Sequence, residues 1–133
     1  MNLQKNLSLA VLCVILFLGG CASVAMVGAG AGAGIGTYSY VKGELKVDYP
    51  YTYDQTWNAS LTALERLEIE VTTKKRDALN GKIKGKRGDE KSVVIKLKNK
   101  GLGITTVGVR VGSFGDQDAS HRIQQTILNV LKS

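Results

Sequence analysis

The sequence predicts an α+β domain, a two-layer sandwich in which a five-stranded antiparallel sheet carries two helices on one face. Five segments alternate apolar and polar residues as half-buried strands do, and two segments repeat apolar residues at helical spacing. Their order is β-α-β-β-β-β-α, and short turns between consecutive strands favour antiparallel pairing. Because each helix has one apolar stripe, both stripes are buried if both helices cover the same sheet face.

The first strand and the first helix follow directly from the local pattern. Alternation over 44–49 predicts a strand. Thr52 and Gln55 have the spacing of a capping box, and the apolar stripe behind them predicts a helix over 52–68. Trp57 begins that stripe, so we expect it in the core rather than in a ligand site.

The second half of the domain is predicted as four strands and a helix. The strands are expected at 69–74, 82–86, 93–98 and 106–111. Asn80-Gly81 ends the turn that is expected between the first two of these strands. Asp116 provides an N-cap, and an apolar stripe from Ala119 to Leu131 predicts the closing helix.

The N-terminal segment is typical of a lipoprotein signal peptide. Lys5 precedes an apolar run, and residues 1–20 end in Leu18-Gly19-Gly20 directly before Cys21. The segment resembles bacterial lipoprotein leaders, and this resemblance implies cleavage before Cys21 and acylation of its sulfur, which would anchor the chain to a membrane. The alternative is an uncleaved membrane helix extended by the small residues that follow.

Residues 21–36 are predicted to form an acylated, Gly/Ala-rich tether before a periplasmic domain over 37–133. The alternative is that Gly28, Gly32 and Gly36, whose spacing allows close backbone approach, contact another membrane segment. Position 22 is Ala rather than the Asp that tends to hold enteric lipoproteins in the inner membrane. The resemblance to such lipoproteins therefore favours the inner leaflet of a bacterial outer membrane, facing the periplasm.

Nothing in the sequence favours catalysis, and no cofactor or metal site is expected. Cys13 would leave with the leader and Cys21 would carry lipid, so no disulfide is predicted. His121 is the single histidine, and it lies outside the apolar stripe of its helix. Asp116 and Asp118 are explained by helix capping and the helix dipole.

The basic residues predict a charged sheet face. Residues 72–100 hold 11 Lys or Arg residues and 3 acidic ones, within a chain of net charge +7. If the apolar strand residues point at the helices, the opposite face carries Lys74, Lys82, Lys84, Lys86, Lys96, Lys98 and Arg110. Such lysines could simply solvate the sheet and discourage strand-edge aggregation. The functional interpretation is attraction to anionic material.

The favoured hypothesis is a non-catalytic envelope lipoprotein whose basic face binds an anionic lipid, peptidoglycan or an acidic protein. Nucleic acid is not expected, because that face lacks aromatic residues that stack on bases. An alternative is a structural accessory subunit that assembles through a strand edge or the Gly/Ala tract. A carrier of an uncharged ligand would need a cavity between helices and sheet.

The chain also resembles a domain-of-unknown-function family of small Gram-negative bacterial lipoproteins. The resemblance rests on the anchor and its Gly/Ala tract, together with these segments: Tyr40-Val41-Lys42-Gly43-Glu44-Leu45, Thr56-Trp57 leading to Leu61, Ala63-Leu64, Val107-Gly108-Val109-Arg110-Val111-Gly112, and Phe114-Gly115-Asp116. It implies a periplasmic lipoprotein with an α+β domain, and it implies no active site, cofactor or substrate.

Overall fold

The computed structural model describes residues 38–133, which form an α+β domain with two helices and an open antiparallel sheet. The elements are β1 Tyr38–Val41, β2 Glu44–Tyr49, α1 Tyr53–Arg66, β3 Glu70–Arg76, β4 Asn80–Lys86, β5 Ser92–Gly101, β6 Ile104–Val111 and α2 Gln117–Lys132. The predicted leader, Cys21 and the predicted tether lie outside the described residues. Neither of the two helices in this part of the chain has the length and hydropathy to cross a bilayer.

The sheet has six strands, in the order β1-β2-β6-β5-β4-β3, so the prediction of five was wrong. The additional strand is β1, which pairs with β2 along its whole length. Lys42 and Gly43 connect them with positive φ angles of 53° and 82°, as a tight two-residue hairpin requires. Tyr, Ser, Tyr and Val before a Lys-Gly turn are a strand signal, but the segment has only four residues and all of them are exposed.

Both helices pack on one face of the sheet. Alternate residues of β2, β4, β5 and β6 are buried, and they join the buried residues of α1 and α2 in one apolar cluster. The helices also contact each other. Thr52 and Gln55 form the predicted capping box, and Trp57 is only 7% exposed, as predicted for a core residue. The apolar faces of the helices and the sheet therefore pack on each other.

A buried glutamine fastens α2 to two neighbouring strands. Gln124 is 1% exposed, and its Nε2 donates to the carbonyls of Leu45 on β2 and Val107 on β6, at 3.0 and 2.8 Å. Its Oε1 accepts a 2.7 Å hydrogen bond from the Tyr49 hydroxyl. Burial raises the pKa of the Tyr49 phenol far above its usual range. Each polar group of the Gln124 side chain therefore has a hydrogen-bond partner.

A bulge in β3 changes which of its residues face the helices. The register shifts between Val71 and Thr73, so that Arg76 pairs with Gly81 on the helix side of the sheet. There the Arg76 guanidinium lies 5.1 Å from the ring centroid of Trp57. Asn80 and Gly81 already belong to β4, so the predicted hairpin exists but its turn is shorter than expected.

Candidate functional site

The solvent-facing side of the sheet carries a row of lysines that crosses the strands. Lys75 pairs with Lys82, and Lys82 pairs with Lys96 on β5. The row continues through Gly108 on β6 to Lys46 on β2. Because paired residues of an antiparallel sheet share a face, these four lysines, here called the lysine row, lie side by side. Five strands at about 4.8 Å each give the row a span of about 19 Å.

The lysine row lies in a cleft of about 550 Å³ on this face. The cleft is lined by Glu44, Lys46, Lys75, Arg76, Asp77, Asn80, Gly81, Lys82, Lys96, Leu97, Lys98, Thr106 and Gly108. Five of these residues are lysines, and two are carboxylic acids. The cleft is therefore a concave surface in which positive charge dominates.

Both acidic residues of the cleft are held by neighbouring groups. Glu44 accepts a 3.4 Å hydrogen bond from Lys96 Nζ, and its side chain is only 16% exposed. Asp77 accepts hydrogen bonds from the backbone N–H groups of Leu79 and Asn80, both at 2.8 Å, and these bonds lower the pKa of its carboxyl. Each carboxylate is thus oriented by a partner.

Gly108 makes room for the Glu44 carboxylate at the centre of the face. A Cβ at position 108 would overlap Glu44 Oε1. The glycine interrupts the lysine row on β6, and the carboxylate of Glu44 takes the space that a side chain would occupy there. Glu44 therefore offsets the charge of Lys96, while Lys75 and Lys82 have no ion-pair partner within 4.0 Å among residues 38–133.

The predicted basic residues do not all belong to the cleft. Lys82, Lys96 and Lys98 line the cleft. The other three that share this face lie beyond the cleft, namely Lys84, Lys86 and Arg110. Lys86 forms a 2.9 Å ion pair with Glu90, and the Arg110 guanidinium donates a hydrogen bond to the carbonyl of Ser113.

The prediction that Lys74 belongs to this face was wrong. The bulge between Val71 and Thr73 shifts the alternation, so that Lys74 pairs with the buried Ile83 on the helix side. Lys75 takes its place in the lysine row. The sequence of β3 does not reveal the bulge, because this edge strand has polar residues on both faces and so no break in apolar alternation marks it.

Two further members of the site were missed in the sequence, although their signal was present. Lys46 stands between Leu45 and Val47, both of which are buried, so the alternation that places Lys82 outward also places Lys46 outward. Glu44 has the same phase. Their position in the same row as the lysines of β4 and β5 depends on the pairing of β2 with β6, which the alternation does not predict.

The cleft presents the ammonium groups of its lysines on the solvent-facing side of the sheet. A lysine ammonium offers three hydrogen-bond donors and no acceptor, so the row presents donors and positive charge. Within residues 38–133, no group of three His, Cys, Asp or Glu side chains could hold a metal ion. His121 is exposed and stacks on Tyr38, with ring centroids 6.0 Å apart, outside the cleft.

Residues 6–129 match the model of a family described as "Protein of unknown function (DUF3568)". No curated protein matches the chain.

Proposed function

The chain belongs to the DUF3568 family. For this member of the family we propose that the domain is a non-catalytic binding module whose lysine row holds an anionic chain. The observation that carries the proposal is the direct pairing of Lys75 with Lys82 and of Lys82 with Lys96. Like charges opposite each other on neighbouring strands destabilise a sheet. A ligand with phosphate or carboxylate groups would remove that repulsion.

The span of the row favours an extended ligand over a single ion. One anion reaches two or three ammonium groups, whereas the row covers about 19 Å from β3 to β2. A polymer that carries repeated negative groups would contact Lys75, Lys82 and Lys96 together. Glycan chains with acidic groups, anionic lipid headgroups in a row, or an acidic protein segment all have this chemistry.

We further propose that the domain is a bacterial lipoprotein held at the envelope by acylation of Cys21. The support is the predicted leader that ends in Leu18-Gly19-Gly20 and the small-residue segment that follows. A tether raises the effective concentration of the domain near a membrane or cell wall. Weak electrostatic binding by exposed lysines would then be sufficient.

The test is the affinity of the full chain for a soluble polyanion, inorganic polyphosphate, compared between two triple variants. Lys75→Gln, Lys82→Gln and Lys96→Gln together remove the centre of the row. Three contacts of about 1 kcal/mol each predict about 100-fold weaker binding. The matched control is Lys42→Gln, Lys74→Gln and Lys132→Gln, which removes the same charge from outside the cleft.

The two variants separate a built site from general positive charge. We expect the control to bind polyphosphate within a few-fold of the unmodified chain, and binding by all of them to weaken as salt rises. Equal loss in both triple variants would show that only net charge matters. That result would reject the lysine row as a site.

A further inference from the structure

Two hairpin ends lie next to each other at one end of the sheet and expose leucines. Leu79 is 63% exposed in the turn between β3 and β4. Leu102 is 100% exposed in the turn between β5 and β6, and Ile104 beside it is 40% exposed. We call these three residues the leucine end.

Hydrogen bonds from one asparagine hold the two hairpin ends together. The backbone N–H of Asn99 donates to the carbonyl of Leu79 at 2.8 Å, and its Nδ2 donates to the carbonyl of Ala78 at 3.2 Å. Its Oδ1 accepts from the N–H of Gly101 at 3.0 Å. The backbone that presents Leu79 and Leu102 is thus fixed before any partner arrives.

Leu102 occupies a conformation that its side chain disfavours. Gly101 pairs with Ile104, so Leu102 and Gly103 form a two-residue loop with φ angles of 55° and 72°. This geometry selects Asn-Gly or Gly-Gly, since a branched aliphatic residue adopts positive φ at a cost. Leu102 is thus a fully exposed apolar side chain in a loop conformation that leucine disfavours.

The charge and the chain direction around the leucine end indicate a membrane surface. The adjoining segments 74–79 and 98–104 hold five Lys or Arg residues and one Asp. One of the five, Arg76, is paired with Asp54, and the other four are lysines. Exposed apolar side chains in basic segments suit a bilayer with anionic headgroups. β1 runs antiparallel to β2 and begins with Tyr38 opposite Val47, so the chain enters the domain from this same end.

We propose that Leu79 and Leu102 insert into the interface of an anionic phospholipid bilayer and orient the domain on it. The proposal goes beyond polyanion binding in the cleft and does not depend on it. It agrees with an anchor at Cys21, which lies 17 residues before Tyr38. In this orientation the end of the sheet contacts the bilayer, and the sheet face that carries the lysine row stays accessible to a ligand.

The test is local lipid contact, measured with tryptophan at single positions of the full chain bound to vesicles of phosphatidylglycerol and phosphatidylethanolamine. Leu79→Trp and Leu102→Trp report on the leucine end. Phe114→Trp is the matched control, because Phe114 is 95% exposed at the opposite end of the sheet. The native Trp57 is buried and contributes the same background to all three.

Brominated acyl chains should quench Leu79→Trp and Leu102→Trp several-fold more than Phe114→Trp. Absent or equal quenching at the three positions would overturn the proposal, and so would equal quenching with neutral phosphatidylcholine. Protection from iodide without lipid quenching would indicate a second copy of the chain as the occupant, and would also overturn it. Polyphosphate binding is measured separately, so either result stands without the other.

A second variant keeps the test independent of folding. Leu102→Asn places a residue that favours positive φ in the loop, so its unfolding temperature should be at least that of the unmodified chain. In the Leu79→Trp background it should raise the lipid concentration needed for half-maximal quenching by about tenfold, the effect on membrane affinity of one leucine that leaves an apolar contact. Unchanged quenching would contradict insertion of Leu102.

Discussion

Replacing Gln124 by leucine should destabilise the domain strongly although the two side chains have similar size. The change removes both hydrogen bonds from Nε2, so the carbonyls of Leu45 and Val107 each lose a buried donor. A buried acceptor that loses its partner costs about 1–3 kcal/mol, and the added apolar contact offsets about 1 kcal/mol in total. The Tyr49 hydroxyl keeps a 3.0 Å hydrogen bond to the main-chain carbonyl of residue 124. The free energy of unfolding should therefore fall by about 3 kcal/mol.

Urea unfolding monitored by Trp57 fluorescence measures this difference, and thermal unfolding should shift by about 12–24 °C. The matched control is Gln125→Leu, which makes the same substitution at the neighbouring exposed position of α2. We expect the control to change the free energy of unfolding by less than about 0.5 kcal/mol. Equal effects of the two substitutions would refute the role assigned to Gln124, and with it the account of how β2 and β6 are held under the lysine row.

Three further predictions concern packing, charge and pH. Gly81→Ala would place a Cβ 2.7 Å from the Trp57 ring, so unfolding free energy should drop by about 1–3 kcal/mol, while Gly88→Ala, which meets no atom within 4 Å, serves as its control. Glu44→Gln frees Lys96 from its 3.4 Å partner, so isothermal titration should show polyphosphate binding about two- to fivefold tighter, and weaker binding would contradict the assigned charge balance. The Ala119 N–H holds the pKa of the Asp116 carboxyl below its usual range, so its stabilisation is present above the unfolded pKa and is lost as pH falls through the lower folded pKa. Melting temperatures below about pH 4 should accordingly fall less steeply with pH in Asp116→Asn than in the unmodified chain. Parallel curves of melting temperature against pH would contradict this stabilisation by the Asp116 carboxylate.

Local patterns predicted much of the fold because each acts over a few residues. The capping box at Thr52, the buried Trp57 and the hairpins of β4, β5 and β6 all follow from spacing alone. β1 was missed because a four-residue edge strand with every residue exposed has no apolar alternation.

The site was harder to predict because it depends on pairing between distant segments. Lys82 and Lys96 were placed correctly, since each belongs to a strand with regular alternation. Lys74 was misplaced because a bulge is invisible in a strand that is polar on both sides. The position of Lys46 beside Gly108 depends on strand order, which sequence alternation does not determine.

The most direct test of the central claim is a map of backbone amide chemical shifts as inorganic polyphosphate is added to the full chain. The lysine row predicts that the largest changes fall on Lys75, Lys82, Lys96, Gly108 and Lys46, and that the exposed faces of α1 and α2 change little. Changes that are spread evenly over all exposed lysines, or that concentrate on the helices, would contradict a binding site on this face of the sheet.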